Sequence, residues 1–507
     1  MCGILGYISG NKIERSISDT FELALGKTSH RGPDETRRVN LEQAIIGFNR
    51  LSIVGENNGS QPISNEDHSI WMVCNGEIYN HQEIRKNLHK KHHFATNSDC
   101  EVIVHAYEEY ADDFVKYLKG QFAGLIYDTR KKLIILFRDR FGINPLYYAM
   151  NSNKELYVSS EVKAILYLNP KICTSLDPLS IKETLFLYGS TSPRTVFKDV
   201  FQVHPGHIMK FEVGGIIRIL EDKAYWELPP VIARHSDEII KQFKHLLTQA
   251  IRRRMQADNT GKIGTYLSGG VDSSTVTAVL KLLKIPVESF SVKFDNDKFD
   301  ESSYQKIVAK HLDIPLHFCT GDNAFERDFE NVIWHTELPM IRTAPIPLYS
   351  LSRLVRSKKI KYVMCGEGAD EMMLGYPVLM KKICSIKDKL KDNLILENLF
   401  VDNQISGKNM VDLTCAGYST TNRSVTRQMQ LVEIATKLSR YLLVQQGDRL
   451  AMSHSIEQRF PFLDEDLVDF LFSIPDDQFE ILCMDKKLLR DLAKNILPKE
   501  ITQRTKQ

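Results

Sequence analysis

No apolar run in this 507-residue sequence approaches the ~20 residues that a membrane-spanning helix needs; the longest, such as Leu133-Ile134-Ile135-Leu136-Phe137, stop far short. A basic start followed by an apolar segment and a cleavage site is also missing, so no secretory leader is expected and the chain reads as cytoplasmic. Charge of one sign is not in excess. Lys plus Arg total 66 against 64 Asp plus Glu, so no overall field would draw the chain to nucleic acid or to an anionic membrane. Nine cysteines are scattered without a C-x-x-C pair, which argues against a zinc site and a disulfide framework. A Walker phosphate loop is absent too: Gly26-Lys27-Thr28 ends like one, but the glycine required five positions before Gly26 is Phe21. His89, His92 and His93 lie in a basic loop without carboxylate or thiol company, and no metal is expected there.

What is present is the composition of a soluble globular protein, 43% hydrophobic and 26% charged, long enough for about two to four domains. The first part is rich in short strand-like segments separated by turns, at residues 4–8, 44–48, 70–74, 122–128, 133–138 and 146–149, with helical stretches at 17–25 and 101–110. Strands clustered in this way predict an α+β layered domain. Turn signals at Pro205-Gly206-His207 and Pro229-Pro230 break the pattern. They predict a first domain over residues 2–210, a linker over 211–234 and a second domain over 235–507. Beyond the break, strands (262–267, 287–294, 362–365) alternate with helices (237–256, 274–284, 301–312), the signature of a parallel sheet with crossover helices.

Chemistry is suggested first at Cys2. A cysteine after the initiator Met and before a small residue can become N-terminal, which puts a thiol and an α-amine on one carbon. The amine titrates near pKa ~8 and can serve as the base for its own thiol. Four polar clusters follow: Ser29-His30-Arg31-Gly32-Pro33-Asp34, Arg50-Leu51-Ser52-Ile53-Val54, Asn75-Gly76-Glu77-Ile78-Tyr79-Asn80 and Ser98-Asp99-Cys100-Glu101. Each has a plain structural explanation, Asn-Gly as a hairpin turn and Ser98 or Asp99 as a helix cap. Together they supply what a glutamine amide hydrolase needs, a nucleophile, an oxyanion hole and groups for the substrate's α-carboxylate and α-amine. In the second part, Ser268-Gly269-Gly270-Val271-Asp272-Ser273-Ser274 leaves a strand and enters a helix. Backbone N–H groups and the positive helix end then converge on one loop, a cradle for pyrophosphate. Asp272 would be repelled there without Mg2+ as its partner. Cys365-Gly366-Glu367-Gly368-Ala369-Asp370-Glu371 is a second glycine-rich turn, loaded with carboxylates.

The motifs from Cys2 to Glu101, in this order and register, resemble the class II glutamine amidotransferase domain of the asparagine synthetase family. The serine- and glycine-rich loop resembles the PP-loop of ATP pyrophosphatases, and the acidic turn the same family's G-E-G-A/S-D-E motif. The resemblance runs from Cys2 to Lys506. It implies an N-terminal-nucleophile fold, two stacked antiparallel sheets between helical layers (αββα), followed by an α/β PP-loop domain with a helical C-terminal part. On the glutamine side it implies Cys2 as nucleophile and general base, with the Asn75 side chain and Gly76 N–H as oxyanion hole. Arg50 would hold the α-carboxylate and Asp99 the α-amine, assisted by Glu77. On the ATP side it implies Leu267, Ser268, Gly269, Gly270, Asp272, Ser273 and Gly366 around the nucleotide, and Asp272 with Asp370 as Mg2+ ligands. Glu367, Asp370 and Arg342 would face the acceptor, Glu367 also as proton acceptor from ammonia. Lys486, four positions before Arg490, would steady the charge of the adenylation and amidation transition states; Lys487 beside it competes for that role. The buried-charge residues of Gly447-Asp448-Arg449 and Glu457-Gln458-Arg459 read as structural.

Three departures from the family pattern stand out: Leu374 in place of a second glycine, Pro339-Met340 before Ile341-Arg342 where two threonines are usual, and a sequence that stops at Gln507 where most members continue. The reaction implied takes ATP, aspartate, glutamine and water to AMP, pyrophosphate, asparagine and glutamate, through an aspartyl-adenylate and ammonia carried in an intramolecular tunnel. The alternative is transfer to another carboxylate, a sugar acid or a peptide-like metabolite. Small molecules are the expected partners, with no nucleic acid and no membrane; a homodimer is compatible with the sequence, which carries no signal of oligomeric state.

Overall fold

Alternation of side chains along the first strand shows how the N-terminal domain is built. In Gly3–Ile8, Ile4 and Ile8 join one core while Leu5 and Tyr7 join another, as the two-residue period of a strand buried on both faces requires. The computed structural model describes residues 2–257, 262–376 and 423–504. Its first sheet runs, in spatial order, Val200–Gln202, Tyr147–Met150, Leu156–Ser159, Gly3–Ile8, Ala44–Arg50 and Glu35–Asn40. The second runs Ile217–Ala224, His207–Val213, Leu133–Arg138, Gly120–Asp128, Ile70–Ile78 and Ile63–Ser64. All pairings within both are antiparallel. Ile4, Phe48, Val73 and Leu125 meet between the sheets. Phe21, Leu25 and Ile165, from helices Arg15–Gly26 and Val162–Leu168, cover the outer face of the first. Ile103 and Tyr107 of Val102–Tyr110 cover that of the second. This is the expected αββα sandwich.

The boundary expected at residue 210 falls inside a strand. His207–Val213 pairs with Leu133–Arg138 and with Ile217–Ala224, so the paired strands of the second sheet run on through Ala224. Gly214 and Gly215 lie in the turn of the hairpin that joins His207–Val213 to Ile217–Ala224. Asn75-Gly76, which also reads as a hairpin turn, lies inside the strand Ile70–Ile78.

The second domain is a five-stranded parallel sheet in the order Leu316–Thr320, Val287–Lys293, Ile263–Tyr266, Tyr362–Met364, Glu457–Arg459. Helices Val271–Leu282 and Pro345–Ser357 are among those packed against it. The central strand Ile263–Tyr266 runs into the serine- and glycine-rich loop, and its neighbour Tyr362–Met364 into the acidic turn, so two loops distant in sequence share one C-terminal sheet edge. That edge is where open parallel sheets bind ligands. Leu374 adopts the left-handed conformation, φ 51°, at the position where the family pattern has glycine; this costs of order 1 kcal/mol, and its fully buried side chain offsets that.

Charged residues join the domains. Arg31 is completely buried, forks onto Asp448 with two contacts of 2.7 Å and reaches Glu161 at 3.1 Å. Arg449 bridges Glu161 (3.2 Å) and Glu337 (2.9 Å), and the Gly120 N–H donates to Glu465 across the same junction (2.7 Å). Removing one member of such a buried network costs about 3–5 kcal/mol, because it strands the others out of water. The Asp448 and Arg449 positions therefore match the structural role expected of them.

Candidate active sites

Cys2 immediately precedes the strand Gly3–Ile8 and is almost fully buried. Its backbone nitrogen lies 2.5 Å from Asn75 Oδ1, its carbonyl accepts from Arg31 Nε (2.9 Å), and the Leu51 N–H points at its sulfur (3.4 Å). Met1 lies outside the described residues. Burial pushes the Cys2 thiol above the ordinary cysteine range, against the Leu51 hydrogen bond and the nearby Arg50 charge. A thiol in this setting is mostly protonated at neutral pH and needs a base to attack.

The Asn75 amide is spent on one side only. Its oxygen holds the Cys2 nitrogen, while Nδ2, on a fully buried side chain, has no hydrogen-bond partner among the described residues. A buried donor without an acceptor costs about 1–3 kcal/mol, and an oxyanion beside Cys2 would satisfy it. The strand register turns Gly76 N–H to the same edge as Cys74 and Ile78. The N–H groups of those two are taken by Gln61 Oε1 (2.7 Å) and Asp99 Oδ2 (2.6 Å). A Cβ at Gly76 would come within 2.3 Å of the Gln121 carbonyl, so only glycine fits. Ser98, not Asp99, caps the helical turn that follows, accepting from Cys100 N–H.

Glu77 and Asp99 are both buried and both pushed up, by burial first and then by carboxylate neighbours that include Glu457. Arg459 reaches Glu77 at 3.4 Å and Glu457 at 2.6 Å. The cluster is thus short of positive charge, which an incoming ammonium would supply. Arg50 donates to the carbonyls of Val54, Gly55 and Glu56 at 3.2, 2.5 and 3.3 Å, which fix its guanidinium at the end of Ala44–Arg50. With Asn75 as the oxyanion donor that the resemblance implies, Asn75→Ala would slow glutamine hydrolysis by about 10²–10³-fold, as loss of one such donor does, and leave ammonia-dependent pyrophosphate release unchanged. Parallel glutamate and pyrophosphate assays check this.

The second site is a cleft of about 470 Å³, and Leu267, Ser268, Gly270, Asp272, Ser273, Gly366, Glu367 and Asp370 all line it. Gly269 has φ 75° and precedes helix Val271–Leu282, so the left-handed turn aims the helix N-terminus at the cleft. Ser273 Oγ accepts from Ser268 N–H (3.1 Å) and holds the loop's shape. A Cβ at Gly366 would lie 2.7 Å from Ser273 N; its absence lets the two loops touch.

Lys486 is buried at the cleft floor, with Nζ 2.8 Å from Asp272 and 2.9 Å from Asp370. Burial alone would lower its pKa; the two carboxylates outweigh burial and hold it above the usual lysine value. Lys487 points away, toward the Ile481 carbonyl (3.4 Å), so the structure separates the two lysines. Two carboxylates converging on one cationic position beside a phosphate loop are the hard oxygen donors that suit Mg2+.

Arg342 does not join this cleft. It stacks over the Tyr188 ring at 4.3 Å and donates to its hydroxyl, on the side facing the first domain. Arg504 is a cleft residue that sequence reasoning missed: it donates to the Gly269 carbonyl (3.3 Å) and pairs with Glu301. Nothing local marks it, because its partners lie 235 and 203 positions away.

The histidine loop also departs from expectation. His92 is surrounded by acids, Glu109 at 3.0 Å and Glu66 and Glu108 at 3.6 Å each, which the fold brings from outside the loop.

A family model described as a glutamine amidotransferase domain matches residues 1–226, and one described as asparagine synthase matches residues 242–507. Glutamine-hydrolyzing asparagine synthetase 1 of Bacillus subtilis is 29% identical, over 100% of this chain and 86% of its own length. Glutamine-hydrolyzing asparagine synthetase 2 of the same organism is 30% identical, over 100% of this chain and 71% of its own length. Amidase chyE of Penicillium rubens is 32% identical over 76% of this chain and 61% of its own length.

Proposed function

As the chain belongs to the asparagine synthase family and carries a glutamine amidotransferase domain ahead of that module, we propose that it is an ATP-dependent ligase that makes asparagine from aspartate with glutamine as nitrogen donor. One observation carries the reading: Arg31 binds the Cys2 carbonyl and the Asp448 carboxylate at once, so the position that would release ammonia is tied to the domain that would consume it.

In the first half-reaction the Cys2 sulfur attacks the glutamine side-chain carbonyl. Asn75 Nδ2 and Gly76 N–H receive the oxyanion, ammonia leaves, and water releases glutamate. Arg50 grips the α-carboxylate, and Asp99 with Glu77 the α-ammonium. In the second, an aspartate carboxylate oxygen displaces pyrophosphate from the α-phosphorus of ATP, and ammonia then displaces AMP from the acyl carbon. The phosphate loop cradles the leaving pyrophosphate, and Lys486 neutralises charge building on the phosphoryl oxygens. Glu367 lines the same cleft and takes the proton that ammonia must lose. Mg2+, held by Asp272 and Asp370, would screen the phosphates. An amine of pKa ~10 is mostly protonated in water at pH 7 and then has no lone pair, so ammonia would pass between the sites in an enclosed passage.

A second reading has support of its own. The Penicillium rubens relative is an amidase by name, and Arg342, expected at the acceptor, sits on Tyr188. Both favour a carboxylate other than aspartate. Pyrophosphate release measured against a panel of carboxylates, with glutamine present, separates the two: aspartate should stimulate it most. A panel in which aspartate is inert while another acid is active would overturn asparagine as the product and leave the ligase chemistry standing.

A further inference from the structure

Glu66, His92, His105 and Glu108 bring one ligand atom each to within 4.8 Å of one another. They come from a turn beside the second sheet, the loop 88–98, and two positions of helix Val102–Tyr110. Both imidazoles present Nδ1 to the centre. His92 Nδ1 is 3.6 Å from Glu66 Oε1 and 3.6 Å from Glu108 Oε2; His105 Nδ1 is 3.1 Å from Glu108 Oε2 and 4.0 Å from Glu66 Oε2. A tetrahedron with bonds of about 2.1 Å has edges of about 3.4 Å, and these separations bracket that value.

The surroundings orient the four groups. His92 Nε2 meets Glu109 at 3.0 Å, the carboxylate–imidazole pairing that leaves the other ring nitrogen with its lone pair inward. Glu109 is itself held by the His89 and Lys90 N–H groups (2.8 and 2.7 Å). Asn65 Nδ2 takes Glu108 Oε1 (2.9 Å) and leaves Oε2 for the centre, and the His93 N–H holds Glu66 (2.9 Å). His105 is fully buried, and its Nε2 has no hydrogen-bond partner among the described residues, with Glu101 3.9 Å away. Four carboxylates, those of Glu66, Glu101, Glu108 and Glu109, thus surround two imidazoles. Even two protonated rings would leave the group negative, and a divalent cation would balance it.

We propose that Glu66, His92, His105 and Glu108 form a binding site for a divalent transition-metal ion, zinc by preference, which staples the loop 88–98 to helix Val102–Tyr110. Two imidazole nitrogens exclude Mg2+ and Ca2+, which take oxygen ligands, and a His₂Glu₂ tetrahedron suits zinc. The staple lies just before Ser98-Asp99, so the ion orders the segment that delivers Asp99 to the first site.

The test uses the full-length protein, stripped with chelator and dialysed against Mg2+ to occupy the acidic pair of the second site. Zinc alone is then added, and retained metal and melting temperature are measured; Co2+ replaces zinc as a spectroscopic probe. A single retained zinc, a melting temperature that climbs with zinc concentration and the strong visible absorption of tetrahedral Co2+ are expected. All three should be lost in His92→Gln. Glu109→Gln should weaken binding about 10–100-fold, while Asp370→Asn should bind as the parent does. No retained zinc, or retention that survives His92→Gln and disappears in Asp370→Asn, overturns the proposal.

Discussion

Cys2→Ala is expected to abolish glutamine-dependent synthesis, by on the order of 10⁴-fold or more, while synthesis from added ammonia continues at close to the parent rate. The asymmetry follows from position. Cys2 touches Asn75, Arg31 and Leu51, whereas Lys486, Asp272 and Asp370 line a cleft in another domain. Replacing a small buried thiol by alanine removes the nucleophile and little volume, so the Arg31 fork onto Asp448 should survive. Glutamate release and pyrophosphate release, assayed side by side with each nitrogen source, give the answer. Equal loss of both would mean that the two sites are one functional unit and would refute the division of labour.

The pH dependence of the glutamine half-reaction has a definite sign. Burial raises the Cys2 thiol, so the thiolate does not form by itself near neutrality, and its proton must go to a base. With Met1 removed, the nearest is the α-amine of Cys2, with pKa ~8. Glutaminase turnover should therefore fall as pH drops below that value, while the ammonia-dependent reaction follows the supply of unprotonated ammonia instead.

Much of the fold was legible because its strands announce themselves twice, by apolar content and by the turns between them. Leu133–Arg138 and Val102–Tyr110 lie where periodicity places them. Local signals misled where a tertiary contact overrode them. Asn75-Gly76 carries hairpin chemistry, yet pairing with Gly120–Asp128 carries the strand through it, and Pro205-Gly206-His207 reads as a break although His207 opens a strand that pairs on both sides. The residues of the two glycine-rich loops that line one cleft were legible as motifs, because each loop is short and continuous in sequence. Groups assembled across the chain were not. Arg31 meets Asp448 over a separation of 417 positions, and His92 finds Glu66 only after the loop folds back on the sheet. Arg342 shows the converse: a motif position fixes sequence context, not which side of the junction a long side chain takes.

Lys486→Met should stop pyrophosphate release from either nitrogen source, by about 10³-fold or more, and leave glutamine hydrolysis in place. The ammonium is buried, and its charge acts in a low-dielectric cleft where it is worth far more than in water. Lys487→Met, at an exposed position with one contact to the Ile481 carbonyl, should behave as the parent and serves as the control for helix and charge effects. Lys486→Arg should not rescue. Space beside the side chain is set by Gly375, where a Cβ would already come within 2.7 Å of Lys486 Cε, and a planar fork cannot occupy the point that Asp272 and Asp370 share. Stability should change its pH dependence as well. Because the folded-state pKa of Lys486 is raised, the parent keeps that contribution below the ordinary lysine value of ~10.4 and loses it only as pH climbs through the raised one. In Lys486→Met that ammonium is gone, so the variant should lack this alkaline loss of stability. Melting curves of parent and variant through the alkaline range should show the fall in the parent alone. A Lys486→Met protein that releases pyrophosphate at the parent rate would remove the lysine from the chemistry and leave it a purely structural counter-ion.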